Sequence, residues 1–229
     1  MTTTTANTPA CVGIIMDGNR RWAREQGKAS LEGHRAGVEK LKEALRWAKE
    51  GGIKNVIVFA FSTENWDREK GEVSYLMNLF RTVLSKELAY FKEQGVRVRC
   101  VGERGRFDTD LQKLMTEAEE ETGAANGSTL AIALSYGGRA EIVNAVNTAI
   151  AKGEKVDEKT FAKHLWTDGV PDPDIIIRTG GEQRLSGFLP WQGVYSELFF
   201  TKTKWPAFSR EEFFSILDEF ANRKRNFGK

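Results

Sequence analysis

Short apolar runs alternate along this chain with longer segments of helical periodicity. Near-continuous apolar residues predict buried strands at 12–16, 56–61, 96–101, 129–134, 174–177 and 198–201. Apolar residues that recur every three or four positions predict helices at 33–49, 72–94, 109–122, 140–151, 158–165 and 210–224. The helix at 72–94 is the longest of these. The pattern therefore predicts strands that are connected by helices.

Alternating strands and helices are typical of the α/β class. Because the strands are apolar almost throughout, we expect a mainly parallel six-stranded sheet with helices on both faces. Residues 11–229 show no composition break or repeat, so they are predicted to form one domain. The Thr-rich residues 1–10 lack the apolar core of a signal peptide and are predicted to be a disordered leader.

Composition narrows the possible partners of the 229-residue chain. Its 34 basic and 32 acidic residues give a formal net charge of +2, so no overall positive charge favours nucleic acid. The longest apolar run, 56–61, is far shorter than the roughly 20 residues that span a bilayer. Cys11 and Cys100 fall in or beside predicted strands, which indicates packing thiols in a reduced, cytoplasmic compartment.

The first predicted strand ends at an acid that is followed by small and basic residues. Asp17 closes the apolar run, and Gly18, Asn19, Arg20 and Arg21 come next. A carboxylate can hold a metal ion while amides and guanidinium groups bind phosphate oxygens, so this loop suits a metal-bound phosphate. A strand followed by a solvated basic turn explains the same residues equally well.

The loop after the fifth predicted strand places Arg178, Arg184 and Ser186 around a Gly-Gly turn. Two arginines and a hydroxyl in this arrangement suit a diphosphate, although an ordinary surface loop is the alternative. In open α/β sheets ligands bind outside the carboxyl ends of the strands, so both loops are expected at one edge. The chain has no Walker A pattern and no Gly-x-Gly-x-x-Gly after a strand, which disfavours nucleotide folds.

Six blocks in fixed order carry a resemblance to a known family. They are 16–23 (MDGNRRWA), 33–34 (GH), 60–68 (AFSTENWDR), 136–139 (YGGR), 178–186 (RTGGEQRLS) and 191–192 (WQ). The chain resembles the cis-prenyltransferases, which include the undecaprenyl diphosphate synthases. The resemblance implies a homodimeric, Mg²⁺-dependent enzyme that adds isopentenyl diphosphate in cis to an allylic diphosphate primer, usually farnesyl diphosphate. It also implies an apolar tunnel between the sheet and two helices for the growing lipid.

Site residues follow from this resemblance position by position. Asp17 and Asn65 match catalytic positions, and Asp17 and Glu197 match the ligands of Mg²⁺. Positions that match substrate-binding residues are Gly18, Asn19, Arg20, Arg21, Trp22, His34, Ser62, Trp66, Arg68, Arg178, Arg184 and Ser186. Glu72 matches a position beside the reaction centre, whereas His164 has no such context and is predicted to be structural.

Several details stay open at this point. Ser30 stands where many bacterial members have an arginine that contacts phosphate, and Gly187 departs from the common Ser-Asn-Phe after the second loop. The proton acceptor is Asn65, His34 or the released diphosphate. The helix at 72–94 is expected to wall the tunnel, and the small residues Ala60 and Ser128 match tunnel-lining positions.

The main expectation is a synthase that makes a long polyprenyl diphosphate, the precursor of an undecaprenyl-type lipid carrier. It is expected to make peripheral contact with a membrane when it releases its product. The alternatives are a non-catalytic subunit of a heteromeric prenyltransferase, a short-chain cis-prenyl diphosphate synthase and an unrelated phosphate-ester enzyme. Intact Asp17, Asn19, Arg21 and Glu197 argue against the first of these.

Overall fold

The computed structural model describes residues 8–223 and contains one α/β domain. Its strands are β1 (Cys11–Ile15), β2 (Asn55–Ser62), β3 (Val96–Val101), β4 (Ser128–Tyr136), β5 (Ile175–Arg178) and β6 (Glu197–Phe200). Its α-helices are α1 (Asn19–Glu25), α2 (Glu32–Glu50), α3 (Lys70–Ser85), α4 (Leu88–Glu93), α5 (Thr109–Thr122), α6 (Gly138–Ala151), α7 (Glu158–Ala162) and α8 (Arg210–Asn222). The predicted elements are all present, within a few residues at most ends.

The six strands form one sheet in the order β3-β4-β2-β1-β5-β6. Each neighbouring pair is parallel, so the predicted mainly parallel sheet is confirmed and is parallel throughout. The central strand β1 pairs with β2 on one side and β5 on the other. The loops that follow these strands therefore leave the same edge of the sheet, as the sequence predicts.

Alternate strand residues supply the two faces of the core, as expected for buried parallel strands. Val56 and Val58 pack into the larger cluster with α2, α3, α5 and α8. Ile57 packs into the smaller cluster on the opposite face, with Phe188 and Leu189. Cys11 and Cys100 are buried in these clusters as reduced thiols, which agrees with their predicted packing role.

The prediction of one continuous helix at 72–94 is wrong, because this segment forms two helices, α3 and α4. The Thr82 carbonyl accepts N–H groups from both Lys86 and Glu87, which breaks the regular pattern at the end of α3. Glu87 also pairs with Lys42 of α2 at 2.6 Å. A tertiary ion pair thus accompanies a break that helical periodicity does not reveal.

The ends of the chain differ from prediction in smaller ways. Most of the predicted leader, residues 1–7, lies outside the described part of the chain. Ala10 does not belong to a disordered segment, because its N–H bonds to Asp174 Oδ2 at 2.8 Å and its carbonyl accepts the Asn55 N–H. The helix predicted at 158–165 ends at Ala162. Within residues 8–223, the helices are too short or too polar to cross a bilayer.

Candidate active site

A cavity of about 530 Å³ lies between the sheet and helices α2 and α3. Its apolar walls include Val58, Ile132 and Leu134 from the strands and Leu41, Phe80, Val83 and Leu84 from the helices. Its polar lining comes from the loops at the carboxyl edge of the sheet, namely Asp17, Asn19, His34, Ser62, Asn65, Arg68, Arg178 and Ser186. The cavity therefore combines a polar end with an apolar body.

Asp17 stands two residues beyond β1 and is held by three donors. Its Oδ1 accepts the Gly18 N–H at 2.6 Å and an Arg21 N–H at 3.2 Å, while Oδ2 accepts an Arg178 N–H at 2.9 Å. Gly18 has φ of +100°, which glycine adopts readily. A side chain there would also meet Lys204, because an added Cβ would lie 2.8 Å from its Cβ. The close turn requires glycine.

Arg178 is the last residue of β5, and its side chain connects the loop at 178–186 to the loop that follows β1. Its side chain is 5% exposed. Besides Asp17, its guanidinium donates to Ser186 Oγ at 2.8 Å and to the Arg184 carbonyl oxygen. Arg178 therefore fixes the loop at 178–186 to the loop that follows β1.

Glu72 of α3 forms the second charged cluster, with three partners. Arg20 donates to Glu72 at 2.9 Å and Arg68 at 2.8 Å, and His34 Nε2 lies 3.6 Å from the same carboxylate. Burial of the imidazole, followed by the charge of Arg68, lowers the pKa of His34 from 6.5 to about 4. His34 is therefore neutral at pH 7.

The 3₁₀ turn Thr63–Asp67 follows β2 and carries Asn65 to the cavity. The Asn65 Oδ1 accepts the Ser62 N–H at 3.1 Å, while the Ser62 side chain caps the turn in return. This reciprocal cap uses the amide oxygen of Asn65. Its NH₂ group is left to act as a hydrogen-bond donor toward the cavity.

Similarity to known proteins covers nearly the entire chain. The family model described as "Putative undecaprenyl diphosphate synthase" matches residues 15–228. The chain belongs to this family. It is 46% identical over 230 residues to the isoprenyl transferase of Rhizobium meliloti, covering 97% of this chain and 93% of that protein. The isoprenyl transferase of Aquifex pyrophilus is 46% identical over 222 residues, or 96% of each chain.

Solved structures agree with this membership. The lavandulyl diphosphate synthase of Lavandula x intermedia, in complex with dimethylallyl diphosphate, superposes with a TM-score of 0.91 at 34% identity and covers 97% of this chain and 99% of that one. A "probable undecaprenyl diphosphate synthase" from Campylobacter jejuni gives a TM-score of 0.84 at 34% identity, covering 97% and 100%. The chain is thus an enzyme of the cis-prenyltransferase class.

Not every residue assigned through the family lies at the cavity. Trp22 is covered by Lys28, whose Nζ lies 5.2 Å from the ring centre. The Trp66 ring packs between Phe61 and Phe107, with centroids 5.0 and 5.2 Å away. The structure thus gives Trp66 a packing role, and its expected contact with substrate stays a prediction.

Two exposed arginines of the family site lie at its rim and are paired with acids. Arg184 has a side chain that is 62% exposed and pairs with Glu182 at 2.5 Å. Arg21 lies 3.9 Å from the same Glu182. Glu182 was not predicted as a site residue, because an acid within a basic loop has no distinctive spacing. It provides a counter-ion for arginines of both loops.

Glu197 is not close to Asp17 within one chain, and its expected role as a second Mg²⁺ ligand stays a prediction. The register pairs Glu197 with Ile175, and Ile175 with Val12 at the start of β1. Asp17 lies beyond the end of β1, and the three residues from Val12 to Ile15 already span about 10 Å. The Glu197 carboxylate pairs with Arg223 at 2.5 Å.

A metal ion of the Mg²⁺ type still fits beside Asp17. Mg²⁺ is usually held by one or two carboxylates, with water and substrate phosphate completing the octahedron. The Asp17 side chain is 30% exposed and lines the cavity, so its oxygens are accessible from that side. Among residues 8–223 there is no cluster of three or more His, Cys, Asp or Glu that could hold a metal without substrate.

For three further residues, the location in the structure can be compared with the prediction from the sequence. Trp205 lines the cavity and donates to the Gly37 carbonyl at 2.8 Å, but no motif marks it as a site residue. Ser128, predicted at the tunnel, lies at the amino end of β4 opposite Val96 and does not line the cavity. His164 pairs with Glu154 at 2.9 Å with a buried side chain, which fits its predicted structural role.

Proposed function

We propose that this enzyme condenses isopentenyl diphosphate units in cis onto an allylic diphosphate primer, with Mg²⁺ as cofactor, to give a polyprenyl diphosphate. The observation that carries the proposal is the cavity itself, with an apolar body and a polar end that contains Asp17, Arg68, Arg178 and Ser186. An amphipathic allylic diphosphate has the same division between a charged head and a hydrocarbon tail.

The primer diphosphate is assigned to the loop after β1. Asn19, Arg20 and Arg21 stand at the start of α1, beside Asp17 and within reach of the Glu72 cluster. Mg²⁺ bound at Asp17 would balance the negative charge that develops as the diphosphate departs. The arginines supply further positive charge from fixed positions, which stabilises the same transition state.

Isopentenyl diphosphate is assigned to the loop at 178–186. Arg178 braces this loop from inside, and Ser186 stands at the cavity with φ of +50°. Arg184 is exposed and can exchange its contact with Glu182 for a phosphate oxygen. Anchoring the diphosphate here orients the terminal alkene toward the allylic carbon of the primer.

The chemical step joins the terminal alkene carbon of isopentenyl diphosphate to the allylic carbon, as the bond from that carbon to diphosphate oxygen breaks. The new bond leaves a positive charge on the methyl-bearing carbon of the isopentenyl unit. Loss of a proton from the neighbouring CH₂ group on the diphosphate side then restores a double bond. His34, with its pKa lowered to about 4, is a weak base, and the Asn65 oxygen is engaged in the turn. We assign the proton to the released diphosphate, which is the strongest remaining base.

The apolar body of the cavity would hold the growing chain. Burial of each five-carbon unit contributes about 3–4 kcal/mol of favourable free energy. Elongation is therefore favoured as long as the cavity wall can cover the added unit. A short-chain synthase is the second candidate, because a solved neighbour is a lavandulyl diphosphate synthase in complex with dimethylallyl diphosphate. The cavity wall along α3, from Leu76 to Leu84, spans about 12 Å and favours a longer product.

The homodimer implied by the family is also a proposal. The edge strand β6 exposes Leu198 and Phe200, and α6 exposes Val143 and Ile150. Exposed apolar groups of this kind are typical of surfaces that pair with a partner. We further propose that the enzyme is cytoplasmic and releases its lipid at a membrane surface.

Elongation of labelled isopentenyl diphosphate tests the proposal directly. The purified chain is incubated with farnesyl or dimethylallyl diphosphate, with Mg²⁺ or with a chelator, and the extracted lipid is sized. Successive additions to farnesyl diphosphate that require Mg²⁺ support a polyprenyl synthase. A single addition to dimethylallyl diphosphate supports the short-chain candidate, and no product with either primer supports a non-catalytic subunit.

A further inference from the structure

Strands β2 and β4 contain one extra residue each beside the cavity. Phe59 pairs with Ala133, Phe61 with Leu134 and Ser62 with Tyr136. Ala60 and Ser135 therefore have no partner in the register, and each is the additional residue of a bulge. Bulges redirect side chains and are frequent next to active sites.

Ser135 adopts an uncommon conformation at its bulge. It is fully buried and has φ of +49°, which side chains other than glycine adopt infrequently. Its Oγ accepts the indole N–H of Trp66 at 2.9 Å, and its carbonyl accepts the Glu103 N–H at 3.1 Å. Glycine would relax this backbone, so what serine adds at this position is the hydroxyl acceptor.

Trp66 belongs to the 3₁₀ turn that presents Ser62 and Asn65 to the cavity. The cap between Ser62 and Asn65 fixes the internal shape of this turn but not its position against the sheet. The bond from Trp66 to Ser135 joins the turn to β4 across 69 residues of sequence. Gly137 allows the close approach, since an added Cβ would lie 2.4 Å from Thr63 Oγ1.

We propose that Ser135 is a positioning residue for the prenyl transfer, acting through Trp66 to hold Asn65 and Arg68 at the cavity. This inference rests on the proposed function. The phenyl rings of Phe61 and Phe107 pack against the indole but do not fix its rotation or depth, whereas a directed N–H bond does. Small displacements of groups near the reacting atoms reduce the rate more than they reduce binding.

Ser135→Gly separates positioning from stability. The variant removes the acceptor, which costs stability, but it also relaxes the positive φ, so its melting temperature should fall less than that of the control variant described below. Its kcat should nevertheless fall roughly ten- to hundredfold, with smaller changes in KM for either diphosphate. Trp66→Phe removes the donor and should lower kcat similarly, and the double variant should be no slower than the slower single variant.

Thr122→Val provides the matched control. Thr122 has a buried hydroxyl that accepts the Val98 N–H at 2.9 Å, far from the cavity lining. This variant should lose stability and keep its kcat. Unchanged kcat in Ser135→Gly, or additive losses in the double variant, overturns the positioning role. Failure of the wild type to elongate any primer refutes the proposed function as well, so the two failures are distinguishable.

Discussion

Replacing Arg178 by alanine should damage both the fold and the site, whereas replacing Arg184 should weaken substrate binding alone. The two side chains belong to one loop but differ in environment. Arg178 is 5% exposed and donates to Asp17, Ser186 and a backbone carbonyl. Arg184 is 62% exposed and pairs with Glu182 on the surface.

The loss of folding free energy in Arg178→Ala depends on the Asp17 carboxylate, which loses its partner. Removing one partner of a fully buried pair costs about 3–5 kcal/mol. Asp17 is partly exposed and keeps its bonds from Gly18 and Arg21, so we expect the lower value of about 2–3 kcal/mol. For a chain of this length that lowers the melting temperature by roughly 4–12 °C.

Arg184→Ala removes an exposed pair, which contributes at most about 1 kcal/mol to folding. Its expected effect is on isopentenyl diphosphate, since loss of a charge-assisted phosphate contact costs about 1.5–3 kcal/mol, or roughly ten- to hundredfold in KM. The KM for the primer should change little, because the primer is assigned to the other loop.

Thermal melting and initial rates with each diphosphate varied in turn measure both effects. Arg178→Lys is the matched control, because it keeps the charge but loses the planar fork that serves Asp17 and Ser186 together. A wild-type melting temperature in Arg178→Ala refutes the bracing role. Equal increases in both KM values for Arg184→Ala refute the assignment of its loop to isopentenyl diphosphate.

Three further predictions concern protons, metal and product. The pKa of His34 is near 6.5 in the unfolded chain and about 4 in the folded chain, so the free energy of unfolding should fall by up to about 3 kcal/mol as the pH drops from 6.5 to 4. His34→Asn should remove this dependence on pH when stability is measured by chemical denaturation. Asp17→Asn should lower single-turnover rates at least about a hundredfold at temperatures where the variant is folded, while its melting temperature should fall no further than that of Arg178→Ala, because both variants lose the same ion pair; near-wild-type rates in the folded variant would contradict a role at Mg²⁺. Val83→Trp should shorten the lipid on chromatography while the exposed Thr82→Trp should not; an unaltered product from Val83→Trp removes that wall from the path.

The sequence predicts where the candidate site lies because its polar residues directly follow apolar strands. Asp17 and Arg178 each terminate an apolar run, and parallel pairing of β1 with β5 brings such ends together without further information. The same argument does not extend to Glu197, whose role at Mg²⁺ stays a prediction. Its motif assigns a function to the residue type, but the register places it at the start of β6, beside Ile175.

The packing of Trp66 was beyond sequence reasoning for a different reason. A tryptophan between polar residues in a strand-end loop has the composition of a binding residue. Its actual environment depends on the bulges at Ala60 and Ser135, which no propensity marks, and on a partner 69 residues away. The break between α3 and α4 has the same origin, because Glu87 is fixed by Lys42 of another helix.

The charges of the site are already paired before any substrate binds. Asp17 pairs with Arg178 and Arg21, and Glu72 with Arg20 and Arg68. Isolated arginines crowded at one sheet edge would repel one another, so these acids hold the cationic site together in the absence of ligand. A diphosphate therefore exchanges one counter-ion for another and does not fill an unpaired positive site. The net gain from each new contact is smaller than its gross strength, which leaves the diphosphate able to depart after each condensation.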